Sequence, residues 1–120
     1  MPIKWELDTN NLGVFTVSGK LSTAELQQAQ SQAETIIQKL GEIKILVILD
    51  NFDGWEKAEG WSDFSFAERN DQYIDKFAIV GDKKWEDLVL AFTLKGLRPF
   101  PIEYFTTGDV TEAQQWLLAD

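Results

Sequence analysis

Four carboxylates, Asp50, Asp53, Glu56 and Glu59, crowd into the stretch LDNFDGWEKAEGWSDFSF at residues 49–66. Paired carboxylates can work as general acid and base, and clustered oxygens can hold hard cations. The order DNFDGWEKAE does not follow calcium-loop spacing, and acidic chains produce such clusters often. These groups are therefore read as a solvated face that compensates a helix N-terminus, and no metal is assigned. The 120 residues include no histidine and no cysteine. That excludes His-dependent nucleophiles, His- or Cys-ligated metals, thiolate catalysis and disulfides. The expectation is a protein that is not an enzyme and carries no cofactor.

Two further stretches carry binding chemistry. In VGDKKW (residues 80–85), Gly81, Lys83 and Lys84 at a helix start could hold an anion on backbone N–H groups. The simpler account is a tight turn, with Asp82 capping and Trp85 anchoring the helix. The second stretch is the aromatic one, where Phe52, Trp55, Trp61, Phe64 and Phe66 interrupt the acids. Large aromatics are costly to leave in water. Either they fill the core, or Phe52, Trp55, Trp61 and Phe64, with Trp85, line an apolar pocket or partner patch beyond the strand ends.

Charge and hydropathy limit the partners. The chain carries 11 basic and 20 acidic residues, a net charge of −9. Nucleic acid and anionic membrane surfaces require the opposite sign. No apolar run approaches the roughly 20 residues of a membrane span. The start, MPIKWELDTN, lacks the basic and apolar regions of a signal peptide, so a cytoplasmic location is expected.

The elements that must position these residues are legible in the periodicity. IKWEL (3–7) alternates as a half-buried strand, DTNNLG (8–13) is turn chemistry, and VFTVSG (14–19) completes a hairpin. Residues 21–42 form a helix, with Ser22 or Thr23 at its start, a capping box to Glu25 and Gly41 at its end. Its apolar stripe is Leu26, Ala29, Ala33, Ile36, Ile37 and Leu40. IKILVILD (43–50) reads as a central strand. A helix is expected from about residue 56 to 73, on the spacing of Trp61, Phe64, Ala67 and Ile74. KFAIVG (76–81) is a strand, and 82–96 a helix with Trp85, Leu88, Val89 and Phe92 inward. A late-starting edge strand within 98–105 and a short helix within 106–120 close the chain. The reading is one α/β domain over 1–120, a mixed, mostly parallel sheet of about five strands with about four helices.

The segments VSGKLSTAEL, KILVILDNFDGW, AIVGDKKWEDL and IEYFTTGDVTEAQQWL resemble the SpoIIAA-like family, small bacterial domains of the STAS superfamily. This resemblance spans nearly the whole chain and implies the fold of anti-sigma-factor antagonists. In those antagonists a serine after the central strand is phosphorylated by a partner kinase. Here the Asp-Ser-Ser-Gly style signature is replaced by DNFDGWEKAEGWSD, where Ser62 is the nearest hydroxyl. Related lipid-transfer domains extend the resemblance to small apolar ligands.

Three functions follow in order. The first is a non-enzymatic binding or regulatory module for a protein partner or small apolar ligand. The second is a phospho-regulated switch through Ser62, and the third is an enzyme working by carboxylates alone. Exposed aromatics on an acidic surface also lead to the expectation of a homodimer.

Overall fold

The computed structural model describes residues 3–57, 60, 61 and 63–119. Five strands form one sheet in the order β1-β2-β3-β4-β5. β1 (Ile3–Leu7) runs antiparallel to β2 (Leu12–Leu21). β3 (Ile43–Trp55), β4 (Ile74–Gly81) and β5 (Ile102–Thr106) continue in parallel. The β1–β2 turn is closed by Asp8, whose carboxylate accepts from the N–H groups of Asn10 (2.8 Å) and Leu12 (2.9 Å). Asn11 takes the left-handed φ of 62° that this turn needs.

Four α-helices cover the sheet: α1 (Thr23–Leu40), α2 (Ser65–Asn70), α3 (Glu86–Phe92) and α4 (Val110–Leu118). Side chains of α1, α2 and α3 join the core on one face of the sheet, and α4 packs on the other. The α4 layer is dry: Leu12, Leu46, Ala78, Ala113 and Leu117 are fully buried. Their alternation with Ile45 and Ile79, buried on the opposite face, is why β3 and β4 read as continuous apolar runs. α1 begins and ends as its sequence dictates. Ser22 and Glu25 exchange hydrogen bonds in a capping box, and Gly41, at φ 88°, returns its N–H to the Ile37 carbonyl at 2.7 Å.

Three expectations need correction. The helix expected over 56–73 is only Ser65–Asn70, followed by a 3-10 turn over Asp71–Tyr73. β3 does not stop at Asp50 but runs on to Trp55, so Phe52 and Trp55 are strand residues rather than plugs in a loop. The third correction concerns residues 82–96. Asp82 does cap, accepting from the Lys84 N–H at 2.9 Å, but it starts a 3-10 turn over Lys83–Trp85 that delays α3 to Glu86. The three-per-turn winding shifts the phase of the stripe behind it. Trp85, Val89 and Phe92 still pack against the main core, whereas Leu88 is 56% exposed.

Gly81, at the end of β4, is fixed by close packing. A Cβ there would lie 2.7 Å from the Tyr104 hydroxyl and 2.8 Å from Leu49 Cδ1. Gly81→Ala is expected to destabilise the protein by about 1–3 kcal/mol in chemical denaturation, the usual effect of overpacking. An unchanged midpoint would show that β5 yields freely.

Candidate functional site: an apolar cavity under α1

The site begins with a break in period at the end of β3. Val17, Gly19 and Leu21 of β2 face Leu49, Phe52 and Trp55 of β3. β2 advances by two residues at each step while β3 advances by three. Each step is a bulge, and each carries one left-handed residue of β3, Asn51 (φ 53°) and Gly54 (φ 91°), while Gly19 of β2 between them is left-handed too (φ 65°). Asparagine and glycine are the residues that reach this conformation most readily. Alternation alone would send Phe52 to the α4 face. The two bulges instead keep Leu49, Phe52 and Trp55 on the α1 face, and Glu56 N–H to Leu21 O at 2.9 Å closes the ladder.

The bulged strand end organises a cluster of rings. Phe52 meets Trp55 and Trp85 edge-on, with centroids 5.2 and 5.0 Å apart. Trp55 also meets Trp85 at 6.1 Å and Phe92 at 5.2 Å, and Phe92 meets Trp61 at 5.7 Å. All but the tilted Trp55–Phe92 pair are edge-to-face, and such pairs each contribute about 0.5–1.5 kcal/mol beyond burial. Gly54 admits the Trp85 ring, which lies 3.4 Å from where its Cβ would stand. The Trp61 indole N–H donates to the Glu56 carbonyl at 3.1 Å. The Trp55 N–H is buried and has no hydrogen-bond acceptor among the described residues.

Beside this cluster, between the sheet and its three helices, lies a cavity of about 210 Å³. Its floor is Phe15, Val17, Ile45, Val47, Leu49, Phe77 and Ile79. Leu26, Ala29 and Ala33 of α1, Phe66 and Ala67 of α2, and Val89 and Phe92 of α3 make the opposite wall. Two alanines where the stripe of α1 crosses the sheet leave the space open. Val47 and Leu49 are only half-buried although they lie in the central strand, because they face the cavity. Among the described lining residues, only Asp63 and Phe64 are exposed, which places the mouth just before α2.

Of the polar groups in the wall, Arg98, Thr93 and Asp63 are engaged within the protein. Arg98 grips Asp71 through two bonds of 2.6 and 3.0 Å, donates to the Thr93 carbonyl and stacks over Phe100. The Thr93 hydroxyl donates to the Val89 carbonyl at 3.0 Å. Asp63 accepts from the Ser65 hydroxyl and from the Ser65 N–H, which together hold its carboxyl below the usual value. α2 is pinned to α1 by Asn70, which donates to Glu34 at 2.6 Å and to the Phe66 carbonyl at 3.1 Å. That bond, with the Arg69–Glu34 pair, depresses the Glu34 pKa.

Of the residues proposed from sequence, Phe52, Trp55, Trp61 and Trp85 come together in one cluster. Phe64 stands apart at the mouth, 50% exposed, and does not face the sheet from within a helix. Phe92, Ala29 and Ala33 were missed as site residues; the paired alanines in the α1 stripe were the available signal. Asp50, Asp53 and Glu56 are all exposed. They lie in or just after β3, not at a helix start, which corrects that part of the reading. Among the described residues no group of three acidic side chains converges as a metal site. At residues 81–84 the Asp82 carboxylate takes the Lys84 N–H for itself. Ser62 and Glu59 lie outside the described residues. No helix among the described residues is long and apolar enough to cross a membrane.

Two outcomes test this geometry. Trp55→Ala should lower unfolding free energy by about 3 kcal/mol, the lower end for large aromatics, since Trp55 is half-buried at the centre of the cluster. Trp61→Ala, at the outer end of the cluster, should cost clearly less. The second outcome is a pH dependence at Tyr104, whose hydroxyl donates to the Asp82 carbonyl at 2.6 Å. Burial, aided by Glu86 and Asp82, pushes its pKa from 10.0 up to about 12. The unfolded chain then ionises first, so this contribution is full below pH 10 and is lost as pH rises toward 12. Tyr104→Phe should flatten the fall in stability over that interval.

Comparison with known proteins places this architecture. No curated protein matches the chain. A solved structure of an uncharacterised protein from Shewanella loihica, with a SpoIIAA-like fold, aligns with a TM-score of 0.70 at 21% identity. The alignment covers 96% of this chain and 91% of the other, and it shows a shared fold. The SpoIIAA-like family model matches residues 12–118, from the first residue of β2 to the last of α4. On that match, the chain belongs to the SpoIIAA-like family.

Proposed function

We propose that the protein is a non-enzymatic binding module that holds a small, uncharged, apolar ligand in the cavity under α1. The observation that carries this reading is the cavity itself, about 210 Å³ with an almost wholly apolar wall. Apolar surface left facing water in such a space is unfavourable, so a guest that covers it gains the free energy of its burial. A cavity of about 150 Å³ suffices for benzene, so a single substituted ring or a short branched chain fits here. An anion is disfavoured because Arg98 is neutralised by Asp71 and the mouth carries Asp63, and burial in the mainly apolar interior disfavours a charge of either sign. The exposed, dispersed carboxylates support a role without catalysis. The family's relation to anti-sigma-factor antagonists supports a regulatory use of such binding.

Isopropylbenzene is a suitable probe. Added in excess, it should raise the melting temperature and shift the methyl NMR signals of Val17, Leu49 and Ile79. Ala33→Leu, or Ala29→Leu where the first overpacks, should fill the space and remove both effects. No melting shift and no methyl shifts in the unaltered protein would refute the reading.

A further inference from the structure

The outer edge of β1 offers a second surface, independent of the cavity. β1 is an edge strand, so the backbone groups on its outer side have no neighbouring strand in the sheet. Natural edges of this kind are commonly guarded by bulges or by charged side chains, lysine above all; β1 carries one charge of each sign, which repels most strands but matches a reversed copy of itself. β1 pairs with β2 in unbroken register over all five of its residues and therefore has no bulge. Trp5 and Leu7 leave 43% and 36% of their surface exposed on the α1 side. Lys4 and Glu6 alternate onto the opposite face, exposed and without an ion pair to the described residues.

The sequence IKWEL is complementary to its own reverse. We propose that β1 pairs antiparallel with β1 of a second copy about a two-fold axis at Trp5, joining two sheets into one. In that register Lys4 lies opposite Glu6 of the second copy, and Glu6 opposite its Lys4. Ile3 meets Leu7, and the two Trp5 rings meet at the axis. Directly opposed residues share a face, so both charge pairs lie on one side and the apolar pairs on the other. A slip by two residues in either direction sets Lys4 against Lys4 or Glu6 against Glu6. The charges thus select one register as well as stabilise it. A two-fold axis is also the symmetry that identical chains most often adopt.

Sedimentation velocity over a concentration series tests the pairing, with circular dichroism confirming that each variant is folded. The unaltered protein should dimerise in the micromolar range. Lys4→Glu and Glu6→Lys should each replace two attractive pairs by two repulsive ones, weakening the dimer at least about tenfold. The double variant Lys4→Glu/Glu6→Lys should restore it, and mixing the two single variants should yield a heterodimer. A protein that stays monomeric at about 1 mM, where even an affinity of only −4.1 kcal/mol would show, overturns the proposal. So do single variants that dimerise as the unaltered protein does.

Discussion

The structure depends on one departure from regular geometry, the pair of bulges that ends β3. A β-strand alternates its side chains with a period of two, and any odd insertion turns the rest of the strand over. Asn51 and Gly54 absorb one insertion each in left-handed conformations. Leu49, Phe52 and Trp55 therefore point the same way along one face. Without this, Phe52 would turn toward the α4 face of the sheet, and Trp85 would lose one of its two ring partners in β3.

The remaining elements follow from what that face requires. Trp85 reaches Phe52 because Gly54 has no side chain and because Asp82 begins a 3-10 turn before α3. α3 then ends where Leu94 and Lys95 return their N–H groups to the Ala91 and Leu90 carbonyls. Leu94 takes the left-handed position there, at φ 60°, where glycine is usual. A leucine in this conformation costs of order 1–2 kcal/mol, and its side chain lines the cavity. The strained residue and the void sit together, the pattern expected when strain serves a site rather than the core. On the opposite face of the sheet Leu12, Leu46, Ala78, Ala113 and Leu117 are fully buried under α4.

Much of this was legible in the sequence. The hairpin, the central strand, the caps of α1 and the edge position of β5 follow from alternation, turn residues and prolines. Phe52, Trp55, Trp61 and Trp85 were identified as a group, and the structure brings them together. Two spacings misled. Trp61, Phe64 and Ala67 recur every three residues and read as a helix that in fact begins only at Ser65. The strand was read as ending at Asp50 because two bulges break its alternation beyond Leu49. The cavity was harder to read, since Ala29 and Ala33 look like ordinary members of an apolar stripe. Only the sheet beneath them, with Val47 and Leu49 half-covered, shows that they leave a gap.

The central claim is that this gap is real, apolar and open to a guest. Xenon enters cavities of this kind without needing any polar contact. A crystal structure determined under xenon pressure should show density bounded by Leu49, Phe52 and Ala33, with little movement of the surrounding side chains. An interior that closes over the site, with α1 seated against Val47 and Leu49 and no xenon bound, would contradict the account.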